Sequence, residues 1–98
     1  MIETGIKPVV IKEIKNIAQK YGVEKIILFG SRARGDFFQT SDIDLAVSGG
    51  NKVMFKLDIE DETSTLLTFD VVDLDEDINQ KLRESISREG IVIYEKIS

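Results

Sequence analysis

Cysteine, histidine and tryptophan are absent from the 98 residues, and proline occurs once. Without cysteine the chain has no disulfide, no thiolate zinc site and no cysteine nucleophile. Without histidine it has neither an imidazole base nor an imidazole metal ligand, so carboxylates are the hard-metal ligands to look for. No run approaches the roughly eighteen apolar residues of a membrane span. Met1-Ile2-Glu3-Thr4 lacks the charged-then-apolar pattern of an export signal, and a cytoplasmic protein is expected.

Positive charge is also in deficit, with 13 Lys and Arg against 18 Asp and Glu and a net charge of −5. That balance opposes unaided binding to nucleic acid phosphates or to an anionic membrane. The length suits one domain over residues 1–98, with little left for a second substrate-binding module.

What is present alternates between helix and strand. Pro8 opens a helix whose Val10, Ile14, Ile17, Ala18 and Tyr21 recur at the spacing of one buried face, and Gly22 ends it. Lys25 to Phe29 reads as a buried strand feeding a Gly30-Ser31 turn, after which Ser31 caps one helical turn closed by Gly35. Asp42 to Val47 alternates with period two and stops at Ser48-Gly49-Gly50. A helix is expected from Asn51 to about Thr65, with Val53, Met54 and Leu57 as its weak apolar face. A third strand follows over Leu66 to Leu74. Asp75 and Asp77 favour the start of a last helix carrying Ile78, Leu82 and Ile86, and Gly90 precedes the final strand, Ile91 to Tyr94. The order predicts an α/β (α+β) fold with helices packed on one small mixed sheet.

Within the second strand Asp42 and Asp44 project to one face while Ile43, Leu45 and Val47 enter the core. Like charges so placed are costly to ionise together unless cations neutralise them, and Mg²⁺ is the obvious neutraliser. Asp70 sits in another apolar strand, where an unpaired carboxylate also wants a cation. If the two strands are neighbours, the three aspartates form a cluster able to hold two metal ions. The Gly30-Ser31 turn lets backbone and hydroxyl approach an anion, and Arg32 and Arg34 flank it as candidates to neutralise a triphosphate. Singly, a Gly-Ser turn is usually only a turn; the combination has few structural explanations.

Gly30-Ser31-Arg32-Ala33-Arg34-Gly35 followed by Ser41-Asp42-Ile43-Asp44-Leu45-Ala46-Val47 resembles the signature of minimal nucleotidyltransferases of the DNA polymerase β-like superfamily. Phe69-Asp70-Val71-Val72 matches that family's third acidic strand, and Leu82 through Gly90 to Tyr94 resembles its usual ending. Members of this size are similar to the MntA antitoxins paired with HEPN-domain toxins. The resemblance implies a polymerase β-like fold and roles by position. Asp42 and Asp44 would be ligands of two Mg²⁺ ions, Asp70 a ligand of the catalytic metal and the base, and Gly30, Ser31, Arg32 and Arg34 would bind the nucleoside triphosphate. One departure is Phe37-Phe38, where similar proteins show small or polar residues; one ring packing under the loop is weighed against a partner or base-stacking contact. The acidic residues Asp58, Glu60, Asp61 and Glu62 read as a solvated face, and Tyr21 and Tyr94 as core or rim.

The expected function is Mg²⁺-dependent transfer of AMP from ATP to a hydroxyl of a partner protein, a HEPN-type toxin, making this chain the antitoxin. A protein acceptor brings its own binding surface, which suits so small and acidic a chain. One alternative is nucleotidyl transfer to a small molecule or RNA beside a partner substrate-binding subunit. Another is a non-catalytic module that binds a nucleotide or masks a partner.

Overall fold

A computed structural model describes residues 3–97 of the chain. The elements run α1 (Pro8–Lys20), β1 (Lys25–Phe29), α2 (Ser31–Arg34), β2 (Ile43–Ser48), α3 (Lys52–Glu62), β3 (Phe69–Asp73), α4 (Gln80–Glu89) and β4 (Ile91–Glu95). The strands form one mixed sheet in the order β3-β2-β1-β4. β2 pairs antiparallel with β1 and parallel with β3, and β4 pairs antiparallel with β1. This is the mixed α/β architecture that the alternating pattern predicts.

One face of the sheet is a continuous apolar core. Val10, Ile14, Ile17 and Ala18 of α1, Ile26 and Leu28 of β1, Ile43, Leu45 and Val47 of β2, and Phe55 and Ile59 of α3 pack together there. The other face carries a smaller cluster in which Phe29, Ala46 and Ile86 are covered by half-buried Ile27, Val72, Leu74, Ile78 and Leu82. α4 supplies Leu82 and Ile86 on this side, and Asp70 is exposed there. The period of two along β2 therefore sends Ile43, Leu45 and Val47 into the main core and Asp44 to the thinly covered face.

Three expectations are corrected. The buried face of α3 is Phe55 and Ile59, whereas Val53, Met54 and Leu57 are exposed. Phe55 and Ile59 are four apart, one turn of helix, and pack with α1 on the same face of the sheet. The third strand is shorter than Leu66 to Leu74, because the segment before Phe69 is drawn off into side-chain-capped turns. Glu13 accepts from the Ser64 N–H and hydroxyl at 2.8 and 2.7 Å, and the Thr65 hydroxyl accepts from the Leu67 N–H. The last helix starts at Gln80, capped by Asn79, whose side chain accepts from the Lys81 and Leu82 N–H groups. Asp75 is not available as a cap because its carboxylate accepts from the Gly49 N–H and from Lys52.

Candidate active site

The parallel register of β2 and β3 pairs Asp44 with Asp70, and the antiparallel register of β1 and β2 pairs Phe29 with Asp44. These two registers bring the Asp-x-Asp, the third aspartate and the Gly-Ser turn to one corner of the sheet. Asp42 stands one residue before β2, beside the Ile43 N–H that donates to the Thr68 carbonyl at 2.9 Å. Asp42 and Asp70 are exposed and Asp44 is half-buried between them.

Gly30 joins β1 to α2 with φ 74 and ψ −159, a conformation that side chains rarely adopt. A Cβ at this position would collide with the Asp44 carboxylate, so only glycine lets the turn lie against the aspartate. Ser31 follows as the first residue of α2, and its carbonyl accepts the Gly35 N–H at 2.8 Å, closing the single helical turn. The turn is held in shape by its own backbone.

The two arginines of the turn part company. Arg34 is exposed and faces the site: its Nε donates to Asp36 at 3.2 Å, and its Nη1 donates to both oxygens of Glu89 at 3.2 Å. Arg32, expected on the triphosphate with Arg34, is instead buried, with 1% of its surface exposed. Its guanidinium donates to the carbonyls of Thr4, Gln39 and Ser41 at 2.9 to 3.1 Å and lies 4.8 Å from the Phe37 ring centre. Burial lowers its pKa. A planar fork of five donors is what three converging carbonyls require, so Arg32 shapes the loop that delivers Asp42 rather than facing the aspartates. The same contact settles half of the Phe37-Phe38 question: Phe37 packs on Arg32, while Phe38 is 79% exposed.

The electrostatics of the aspartates are those of a site short of positive charge. The Asp44 carboxyl is pushed up to about 6 from 3.8, first by burial and then by the neighbouring charges of Asp70 and Asp42, with Arg34 opposing the rise. Among the described residues no lysine or arginine forms an ion pair with Asp42, Asp44 or Asp70. Hard oxygen donors, like charge and a partly dry setting are the donor chemistry that a divalent cation such as Mg²⁺ fits. Among the described residues, no three His, Cys, Asp or Glu side chains are already gathered closely enough to hold one ion. The strand pairing supplies the proximity of Asp44 and Asp70, and that proximity, after burial, is what raises the Asp44 carboxyl.

Glu89 is the site residue that sequence reasoning missed. Its Oε1 accepts from the Gly30 N–H at 3.1 Å as well as from Arg34, and its side chain is 15% exposed. The signal that could have found it is a carboxylate in the last turn of a helix, where the helix dipole disfavours negative charge.

Comparison with known proteins places this geometry. The family model described as "Polymerase beta, Nucleotidyltransferase" matches residues 12–98. A relative from Methanocaldococcus jannaschii, named "Putative protein adenylyltransferase", is 41% identical over 96 residues, covering 86% of this chain and 94% of the relative. Among solved structures, a toxin-antitoxin with AMP-PNP superposes with a TM-score of 0.71 at 20% identity, covering 88% of this chain and 73% of that one. A mutant of the toxin-antitoxin MntA-HpeT gives 0.70 at 18% identity over the same shares of the two chains. At these identities the two solved structures speak to the fold alone.

Proposed function

Because the chain belongs to the polymerase β nucleotidyltransferase family, we propose that it is a Mg²⁺-dependent protein adenylyltransferase, moving AMP from ATP onto a hydroxyl of a partner protein. The partner is a small HEPN-type toxin, and this chain is its antitoxin. The observation that carries the reading is the register that sets Asp44 beside Asp70 and against the Gly30 turn, because it joins a carboxylate cluster short of positive charge to a tight Gly-Ser turn. The 41% identical relative named as a protein adenylyltransferase supports the acceptor class, and the two toxin-antitoxin folds support the pairing.

Each residue then has a chemical task. Gly30 lets the chain turn tightly so that the Ser31 hydroxyl would meet the outer phosphates, and Arg34 would offer a guanidinium to their charge. Asp42, Asp44 and Asp70 would hold Mg²⁺, which supplies neutralisation of the carboxylates and of charge on the α-phosphate oxygens. Asp70, the exposed member on β3, accepts the proton of the incoming hydroxyl. The new bond joins the acceptor oxygen to the α-phosphorus, the bond from the α-phosphorus to the bridging oxygen breaks, and pyrophosphate leaves in line. Arg32 acts at a distance, by fixing the backbone of Gln39 and Ser41 and so the approach of Asp42.

The test is transfer of label from α-labelled ATP with Mg²⁺ into a partner encoded beside this chain, comparing the wild type with Asp42→Ala. Label on the partner only with the wild type is the expected result. An unlabelled partner in a demonstrated complex would contradict protein adenylylation and point to a small-molecule or RNA acceptor, or to a binding role.

A further inference from the structure

We infer that Glu89 is a positioning residue of the nucleotide site: it fixes the Gly30 backbone and orients the Arg34 guanidinium so that Arg34 is presented to the phosphates. The inference rests on the reading of this site as a nucleoside triphosphate site.

Its geometry begins in the sheet. The antiparallel pairing of β1 with β4 matches Ile27 with Val92 and Leu28 with Ile91, and the same register continued two residues further sets Gly30 opposite Glu89. Here the ladder has ended, and the Gly30 N–H donates to the Glu89 carboxylate instead of to a backbone carbonyl. The junction that delivers Glu89 is tight. The Gly90 N–H donates to the Ile86 carbonyl at 2.8 Å, and a Cβ on Gly90 would strike that carbonyl and the Ile27 side chain. Glu89 is therefore registered to β1, and through β1 to β2 and the aspartates.

The Glu89 carboxylate stands in the last turn of a helix, against the dipole, and is held there by the Gly30 N–H and Arg34. What it does is divide the work of Arg34. Nη1 is held by Glu89 and Nε by Asp36, while Nη2 takes no hydrogen-bond partner among the described residues. A guanidinium gripped on two edges loses little further freedom when its remaining donors meet an anion.

Charge alone would act in the reverse direction. Removing a negative group beside a triphosphate should tighten binding, and it would do so if Glu89 merely competed with phosphate for Gly30 and Arg34. The two accounts separate in one calorimetric series, using MgATP and AMP as probes on the wild type, Glu89→Ala, Glu89→Gln, Arg34→Ala and the Glu89→Ala/Arg34→Ala double variant.

If Glu89 positions Arg34, Glu89→Ala weakens MgATP roughly tenfold, the scale of one hydrogen bond to a charged group. AMP, which lacks the outer phosphates, binds Glu89→Ala as it binds the wild type. Glu89→Gln, which keeps an acceptor for the Gly30 N–H, falls between, and it serves in place of the alanine variant should that one fail to fold. The double variant is no weaker than Arg34→Ala alone, because the two side chains act as one device. Tighter MgATP binding by Glu89→Ala, equal weakening for MgATP and AMP, or additive losses in the double variant would each overturn the inference. A wild type that binds neither nucleotide would overturn the nucleotidyltransferase reading itself, and this inference with it.

Discussion

The parallel pair β2 and β3 carries an acidic group at each end, and the two ends solve the same electrostatic problem differently. Past Val47 and Asp73, at the carboxyl end, Lys52 lies 3.6 Å from Asp73 and 2.6 Å from Asp75. Asp75 is held below the usual carboxylate range, first by Lys52 and then by the Gly49 N–H. At the amino end Asp42, Asp44 and Asp70 have no such ion pair among the described residues, and Asp44 is pushed up to about 6. A cluster with its own lysine ties a turn together. A cluster with no ion pair of its own keeps a raised carboxyl that Arg34 only partly offsets, and such a perturbed group in an open setting is a candidate functional site.

The largest expected effect lies at the unrelieved end. Asp42→Ala should lower nucleotidyl transfer by at least about 10²-fold, the scale of removing one group that stabilises developing charge, while circular dichroism shows an intact fold. Retained transfer would remove the amino-end cluster from the chemistry. Second is Arg32→Lys, which leaves some of the carbonyls of Thr4, Gln39 and Ser41 unpaired and should cost about 2–3 kcal/mol in denaturant unfolding. An unchanged midpoint would show that the Asp42 loop does not depend on the buried guanidinium.

Third is the pH dependence of the metal-free protein. The folded-state pKa of Asp44 lies above its ordinary value of 3.8, so the folded state holds its proton longer than the unfolded one. Stability from this group should therefore be highest below about 4, fall as the pH rises to about 6, and stay level above. Asp44→Asn should abolish that fall and raise Tm at pH 7. Each ~1 kcal/mol recovered corresponds to ~4–8 °C in a domain of this size. A lower Tm for Asp44→Asn at pH 7 would show that neither burial nor neighbouring charge makes the Asp44 carboxylate costly. The smallest effect belongs to the relieved end. Lys52→Met should cost no more than about 1 kcal/mol, as expected of a partly exposed ion pair, and leave transfer unchanged.

How far these differences were readable in the sequence follows the same division. The strand Lys25 to Phe29, the α1 face and the site aspartates follow from periodicity and from charges set in apolar runs, both of which are local. The neighbourhood of Asp44 and Asp70 needed the parallel pairing, which no local pattern encodes. Arg32 and Arg34 sit two apart in one short turn, and sequence treats them alike; the turn sends one into the core and leaves the other at the surface. Glu89 is distant in the chain and enters the site only through the register of β4 on β1. In α3 the apolar residues Val53, Met54, Phe55, Leu57 and Ile59 outnumber the buried positions, and contact with α1 decides which are covered.

The most direct test of the contrast between the two ends is thermal unfolding at pH 7 with and without Mg²⁺ and a non-hydrolysable ATP analogue. The wild type, Asp44→Ala and Lys52→Met would be compared. Mg²⁺ with the analogue should raise Tm of the wild type and of Lys52→Met by similar amounts and do nothing for Asp44→Ala. An equal rise in all three, or none in the wild type, would contradict the claim that the amino-end aspartates are the cation-dependent nucleotide site.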